Sequence, residues 1–215
     1  MATLSQIRSR VSRKIQDPDN NGVSAAVVDD EINRSVRYYE NERFWFNDKQ
    51  SNITLTSGSQ AVPSIPSDVI SELQVNGLTL IDDQVKIDLI KLPPDEFVER
   101  DDDQTGRPYY YTYRNGEYLL LPTPNEAYTL QFRYLKKYDD LSGDSDTNDF
   151  TDNAEDLIML HTVKNIIAED KQDPQLAGYY EGLEMSELKA LRERSGNRNG
   201  SGFLQCNTIL YRDYI

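Results

Sequence analysis

The sequence predicts an α+β fold in which helices at both ends of the chain form a four-helix bundle and an antiparallel β domain is inserted between them. Apolar residues recur at helical spacing before about residue 46 and after about residue 152, and at strand spacing in between. Two Asn-Gly pairs in the middle region indicate hairpins. The expected boundaries are 1–48 and 139–195 for the two parts of the bundle, 49–138 for the β domain, and 196–215 for a flexible linker with an extended docking tail.

Two helices are predicted before the β domain. Thr3 and Gln6 have the spacing of a capping box, and a first helix follows over about residues 4–16. Ser24 can cap a second helix, which leads to the aromatic cluster Phe44, Trp45 and Phe46. An aromatic cluster at a helix end usually packs against the next element. We therefore expect this cluster to belong to the core, with Trp45 buried where the second helix meets the β domain.

The β domain is predicted from two hairpins and three further strands. Asn76-Gly77 lies between the apolar runs 69–75 and 78–81, and Asn115-Gly116 lies between 109–113 and 117–121. Type I′ turns need two residues that tolerate positive φ, so both pairs predict hairpins. The remaining strands are expected at 53–56, 85–90 and 128–134, with one short helix near 93–97.

Helices return after Asp152, which has capping-box-like spacing with Glu155. Asp173-Pro174 then supplies a cap and a proline at the first position of the last helix. The buried side of that helix is expected to consist of Leu176, Tyr180, Leu183, Leu188 and Leu191. The four helices are expected to form one bundle, because none of them can bury its apolar face alone.

An apolar segment follows the small, polar run from Ser195 to Gly202. Such a segment promotes aggregation unless it is paired or covered, so we expect it to have a docking site. Its side chains alternate in a way that suits addition to a sheet edge. Whether the site lies on another chain or on its own β domain stays open at this point. The residues expected to dock are Phe203, Leu204, Ile209, Leu210, Tyr211, Tyr214 and Ile215.

Charge and cysteine content restrict the class of protein. The formal net charge of −14 argues against nucleic acid as a direct ligand, because phosphate binding needs clustered Lys and Arg. The single cysteine excludes an internal disulfide and fits a reducing compartment, and no apolar stretch reaches the length of a membrane span. We therefore expect a soluble protein made in the cytoplasm.

The first helix is basic although the chain as a whole is acidic. It carries Arg8, Arg10, Arg13 and Lys14 and has no acidic residue before Asp17. This pattern has two interpretations, a helix that faces a negatively charged neighbour or an ordinary solvated face. The first interpretation makes these four residues part of a subunit interface.

Motifs for catalysis and cofactors are absent from the sequence. It has no nucleotide-binding glycine pattern, no zinc-protease motif and no cysteine pair, and the sole histidine, His161, is expected to be packed or surface-exposed. We expect no cofactor and no metal, and a carboxylate hydrolase ranks last among the functions considered. Residues 144–155 place oxygen-bearing side chains at calcium-loop spacing, but Asp149 replaces the glycine that the turn needs. A polar linker that caps the next helix is favoured over a calcium site.

Several short motifs of the sequence, in the order in which they occur, resemble those of one protein family. They include Leu4-Ser-Gln-Ile-Arg-Ser-Arg-Val, the segment from Ile32 to Phe46, Ile65-Pro-Ser-Asp, Gly106-Arg-Pro-Tyr, Leu121-Pro-Thr-Pro and Thr147-Asn-Asp-Phe-Thr. Over about residues 1–195 the chain resembles the head-to-tail adaptor proteins of short-tailed and related bacteriophages. The tail after Gly202 is the part that the resemblance covers least.

The resemblance implies a noncatalytic virion protein. Such adaptors usually form a ring of twelve copies beneath the portal protein, with the bundle against neighbouring subunits and the portal, and with the β domain outward or toward tail nozzle or fibre proteins. DNA would pass through the ring without specific binding, because like charge prevents adhesion. The tail would dock on the portal, a neighbouring subunit or its own domain.

A carbohydrate-binding or receptor-binding module is the alternative function. Its basis is the tyrosine content of the β domain, because alternate tyrosines of a strand face opposite sides of the sheet. About half of them would then be free to form a stacking platform. The tyrosines concerned are Tyr109, Tyr110, Tyr111, Tyr113, Tyr118, Tyr128 and Tyr134.

Overall fold

The computed structural model describes residues 2–74, 76–83, 85–100 and 103–198. The chain divides into a helical unit, made of the residues up to Asn47 and from Tyr138 onward, and a strand unit from Asp48 to Lys137. The described residues contain six helices: α1 (Leu4–Lys14), α2 (Ala25–Tyr39), α3 (Pro94–Arg100), α4 (Asp149–Asn153), α5 (Glu155–Glu169) and α6 (Pro174–Arg198). None of these helices combines the length and the apolar character needed to cross a bilayer. The predicted α+β class is confirmed.

Side-chain caps begin three helices at the predicted positions. The hydroxyl of Thr3 accepts the N–H of Gln6, and the Gln6 side chain accepts the N–H of Thr3 at 3.2 Å, which completes the capping box of α1. Ser24 accepts a backbone N–H in the first turn of α2, and Asp173 accepts one in the first turn of α6 at 3.0 Å. Each cap satisfies an N–H that has no partner inside its helix, and caps of this kind contribute about 1 kcal/mol each.

The predicted cap at Asp152 is wrong. Asn148 instead accepts the N–H groups of Phe150 and Thr151 at 3.0 Å, and the Thr151 hydroxyl accepts the N–H of Asn148 at 3.0 Å. This capping box begins the short helix α4, and α5 follows after Ala154 without a side-chain cap. The sequence therefore predicted one helix where the structure has two.

Helix α5 lies at the centre of the core of the helical unit. It packs against α1, α2, α4 and α6, and every side chain from Leu157 to Val163 is buried. Helices that are covered on several sides show little amphipathic pattern, because apolar residues are needed nearly all round. This explains why the buried residues of α5 do not lie along a single apolar stripe of the helix.

Helix α6 buries a different face from the one that the sequence predicts. The prediction is correct for Leu188 and Leu191, whereas Leu176 and Leu183 are 39% and 38% exposed. The helix also continues to Arg198, so residues 196–198, which the sequence assigned to the flexible linker, are helical. The buried residues of α6 are Ala177, Glu184, Leu188, Leu191 and Ser195.

The strand unit contains ten strands among its described residues. They are β1 (Asp48–Thr54), β2 (Val69–Glu72), β3 (Leu78–Asp82), β4 (Val85–Asp88), β5 (Ile90–Lys91), β6 (Thr105–Gly106), β7 (Tyr110–Arg114), β8 (Glu117–Leu121), β9 (Thr123–Pro124) and β10 (Thr129–Lys136). Strand β10 is the centre of a five-stranded antiparallel sheet, with β1 along one side and with β2 and β3 in succession along the other. Strand β4 pairs with β3 at the far edge.

One of the two predicted hairpins is confirmed. Strands β7 and β8 pair around Asn115 and Gly116, whose φ values are +53° and +86°. The Asn76-Gly77 hairpin is wrong, because β2 and β3 both pair with β10 and not with each other. Gly77 instead allows a close approach, since a Cβ there would lie 2.2 Å from the carbonyl oxygen of Leu73.

The strand unit is not wholly antiparallel. Strand β5 pairs with β7, and β6 with β9, in parallel orientation. The short helix α3 overlaps the helix predicted near residues 93–97, and it buries Phe97. Among the described residues, the main core of the unit includes Ile53, Leu80, Leu130 and Phe132.

Candidate docking surfaces

The sole histidine belongs to a buried polar network in the helical unit. His161 Nδ1 lies 2.7 Å from the Oε1 atom of Glu184, and the ammonium of Lys164 lies 2.8 Å from Oε2. The hydroxyl of Tyr39 donates to Oε1 as well. Tyr38 stacks on the His161 ring at 4.7 Å between ring centroids. The expectation of a packed histidine is confirmed, and the network joins side chains of α2, α5 and α6.

The carboxylate of Glu184 stays ionised in this network. Its burial raises the pKa, but hydrogen bonds from His161, Lys164 and Tyr39 outweigh the burial and lower the pKa of Glu184 to about 2. Burial and the Glu184 carboxylate together raise the pKa of Tyr39. The network therefore holds a charged carboxylate against two neighbouring helices, which is a structural arrangement. Sequence reasoning missed Glu184, because a glutamate in a helix is usually exposed.

The calcium-loop residues mostly have other partners. Asp144 pairs with Arg8 at 2.9 Å, and Asn148 caps α4. Backbone N–H groups of Gly143 and Ser142 lower the pKa of Asp146 by hydrogen bonding to its carboxylate. Among the described residues, no group of three or more His, Cys, Asp or Glu side chains is placed to hold a metal ion.

Two of the four cationic side chains of helix α1 form ion pairs within the same chain. Arg8 contacts both carboxylate oxygens of Asp29, at 2.6 and 2.7 Å, and Arg10 forms an ion pair with Glu155. Arg13 and Lys14 are exposed, and Arg13 donates only to a backbone carbonyl of its own helix in the contacts described. The negative neighbours of Arg8 and Arg10 thus lie in the same chain, whereas Arg13 and Lys14 are oriented toward solvent.

The aromatic cluster is only partly enclosed. Phe44 and Phe46 are 0% and 6% exposed, and their rings stack at 5.2 Å between centroids. Trp45 is half-buried and packs at the margin of the same core, so its predicted complete burial is wrong. The guanidinium of Arg198 lies 4.7 Å from the centre of the Trp45 ring, which fixes the end of α6 beside the cluster.

The tyrosines of the strand unit do not form one platform. Tyr111, Tyr118, Tyr128 and Tyr134 are buried in its core. The exposed rings are those of Tyr109 and Tyr113, and Tyr110 is half-buried. The carbohydrate-binding alternative therefore loses most of the aromatic surface on which it depends.

An exposed apolar stripe on α6 was missed by sequence reasoning. Tyr179 is 62% exposed, and it lies between the exposed residues Leu176 and Leu183 at helical spacing. Leu176 and Leu183 were expected on the buried side of α6 together with Tyr180, and Tyr179 had no assigned role. Exposed apolar groups that line up on one helix face are typical of contact surfaces between proteins.

Strand β1 forms a second exposed surface, in the strand unit. It pairs with β10 through seven consecutive residues without a bulge, and no other described strand pairs with it. Gln50, Asn52 and Thr54 are exposed. The tail residues predicted to dock, from Phe203 to Ile215, lie outside the described residues.

These features together define a class of protein: a two-unit α+β chain whose solvent-facing features suit contacts with other proteins. The family model described as SU10 adaptor protein matches residues 2–203. The chain belongs to this family of phage head-to-tail adaptors, which confirms the resemblance drawn from the sequence. The family implies a non-enzymatic virion component that associates with portal and tail proteins. No curated protein sequence matches the chain.

Proposed function

We propose that this protein is a structural adaptor that forms a ring under the portal, links the capsid to tail components and surrounds the DNA channel. The observation that carries the proposal is the family match, which runs through both units from residue 2 to residue 203. The family supplies the role, and the ring arrangement is the part that we propose. We propose twelve copies per ring, the number that the family resemblance implies.

The helical unit is proposed to contact neighbouring subunits and the portal. Its four long helices, α1, α2, α5 and α6, would act as the bundle, and the strand unit would face outward or toward nozzle or fibre proteins. Two surface features support this role. Arg13 and Lys14 are exposed cations in a chain of net charge −14, and Tyr179 is the most exposed residue of an apolar stripe on α6. Contacts between copies would then combine charge attraction with apolar burial.

The proposed channel would be lined by an acidic protein. A net charge of −14 repels the phosphate backbone, so DNA can pass without adhering to the ring. We expect no detectable binding of duplex DNA at physiological salt by the isolated protein. Retention of DNA in a gel-shift assay at that salt would contradict the proposed channel.

Mass measurement with the portal tests the ring. The chain has a mass of 24.7 kDa, so twelve copies would add about 300 kDa to a portal complex. If the purified protein forms no ring without the portal, the proposal still holds, because rings of this kind can need a template. Failure to bind the purified portal protein of the same phage would overturn it.

Charge reversal tests the exposed cations of α1. The double variant R13E/K14E should weaken assembly on the portal at low salt and leave the fold intact, since neither side chain is buried. The matched control K86E/K137E makes the same change in net charge at exposed lysines of the strand unit. Equal assembly of the two double variants would show that α1 presents an ordinary solvated face.

A further inference from the structure

Strand β1 is an edge without the usual protection. Natural sheets shield long edges with prolines, bulges or charges, because an open edge can pair with another chain. Strand β1 has none of these in its second half: Gln50–Thr54 carries no charge and no proline, and the pairing with β10 is regular from Asp48 to Thr54. The other two described strands with a single partner in this sheet, β2 and β4, have only four residues each. Among the strands that the structure describes in this sheet, β1 alone therefore presents a long open edge.

The backbone groups of this edge face outward at alternate residues. Leu55 donates its N–H to the carbonyl of Tyr128, so odd-numbered residues of β1 form the hydrogen-bonded pairs with β10. The N–H and C=O groups of Gln50, Asn52 and Thr54 then point away from β10. No described residue pairs with the backbone of these three residues. Another strand could form a ladder with them.

We infer that β1 receives the C-terminal segment Phe203–Ile215 of a second copy, which adds to the sheet as a further strand. This inference rests on the proposed ring. The segment has 13 residues, and the edge from Asp48 to Thr54 has seven, so the segment is long enough to cover it. The uncharged run Phe203–Tyr211 matches the uncharged run Gln50–Thr54, although the chain as a whole is strongly acidic. The two segments can approach without like-charge repulsion.

The tail of this same protein is the occupant that satisfies both segments at once, and the proposed ring makes a second copy the donor. Every copy carries one open edge and one apolar tail, so a ring in which each tail pairs with the next copy's edge leaves neither unpaired. A strand from a different protein would cover the edge and leave the tail without a partner. Most of the tail lies beyond residue 203, where the family match ends.

The single cysteine of the chain, Cys206, allows a direct test. In the panel Q50C, S51C and N52C, a disulfide to Cys206 should form on mild oxidation of the portal-bound protein at the position that the register selects, because only opposed Cβ atoms are close enough. K86C, on the exposed strand β4, is the matched control and should give at most about a fifth of that yield. Equal yields at all four positions, or none at any of them, would overturn the inference.

Mixing experiments identify which copy supplies the tail. Copies that carry N52C together with C206S, or the corresponding variant at the best panel position, have no Cys206 of their own, so any disulfide that they form to Cys206 joins two copies. Covalent dimers in a mixture with unmodified copies are the expected result. Cross-links that form within one copy and never in the mixture would assign the edge to the chain's own tail and overturn the proposal.

A proline substitution tests the backbone contact without a thiol. N52P removes one outward N–H that the sheet itself does not use, whereas N52A keeps it, so both variants should fold and only N52P should lose about tenfold in assembly on the portal. In a chain that lacks residues 203–215, N52P should have no further effect. If N52P does not fold, N52K replaces it, because it places a charge on the edge. It is compared in the full-length chain and in the chain that lacks residues 203–215.

The outcomes separate the inference from the proposed function. Unmodified protein that fails to bind the portal overturns the proposed function and the tail contact with it. Protein that assembles normally, yet gives no cross-link and shows the same N52P effect with and without the tail, overturns the tail contact alone.

Discussion

Replacing Glu184 with glutamine tests whether the buried network stabilises the helical unit. Glutamine has nearly the same shape but carries no charge, so Lys164 would lose the carboxylate 2.8 Å away. The network lowers the pKa of Glu184 from its ordinary value of 4.5 to about 2. At about 1.4 kcal/mol for each unit of pKa, the ionised carboxylate contributes about 3 kcal/mol to the free energy of unfolding at pH 7. E184Q should lose about this amount.

The sign of the pH dependence follows from the lowered pKa. A carboxylate whose pKa is lower in the folded state stabilises the protein above its unfolded pKa of 4.5, and this contribution is lost as the pH falls toward 2. The difference between the original protein and E184Q should therefore shrink to below about 1 kcal/mol at pH 2.5. Urea unfolding followed by circular dichroism at pH 7 and pH 2.5 measures both differences.

The matched control is E181Q, one turn earlier on the same helix. Glu181 is exposed, so its replacement should change stability by less than about 0.5 kcal/mol. The reasoning fails if E184Q and E181Q are equally stable at pH 7. It also fails if E184Q remains about 3 kcal/mol less stable at pH 2.5, because the loss would then come from packing and not from the charge.

Two further predictions concern the core and the turns. Phe44→Ala should cost about 3 to 5 kcal/mol and Trp45→Ala only about 1 to 2, because Phe44 is fully buried and Trp45 is not, and urea unfolding separates them. Gly77→Ala should lower the melting temperature much more than Gly116→Ala, because its Cβ would meet the Leu73 carbonyl at 2.2 Å, whereas Gly116 faces open space and carries only a positive φ. Equal costs within either pair would contradict the packing described.

The features that the sequence predicted correctly depend on neighbouring residues. The capping box of Thr3 and Gln6 is set by residues three apart, and the hairpin at Asn115-Gly116 is set by two residues that tolerate positive φ. Such signals do not depend on the rest of the chain. The family could also be recognised from the sequence. A series of short motifs in a fixed order identifies it even where a single helix or strand is predicted incorrectly.

The features that the sequence missed depend on distant partners. Asn76-Gly77 has the same local signature as Asn115-Gly116, but β2 and β3 both pair with β10, which begins at Thr129, far along the chain. The buried carboxylate of Glu184 is hydrogen-bonded by residues of two other helices, which helical spacing cannot reveal. Spacing alone assigned its neighbour Leu183 to the core instead. Both errors arise from treating a local pattern as if it fixed the tertiary partner.

The two proposed contacts between copies should respond to salt in opposite directions. The Debye length falls from about 30 Å at 0.01 M salt to about 8 Å at 0.15 M, so an attraction that depends on Arg13 and Lys14 weakens as salt is added. A backbone ladder between β1 and an uncharged tail has no such attraction to lose, whereas screening relieves the repulsion between copies of net charge −14. Assembly that depends mainly on the tail should therefore strengthen with added salt in R13E/K14E. Weaker assembly of this double variant at higher salt would mean that a charge contact outside α1 holds the copies together.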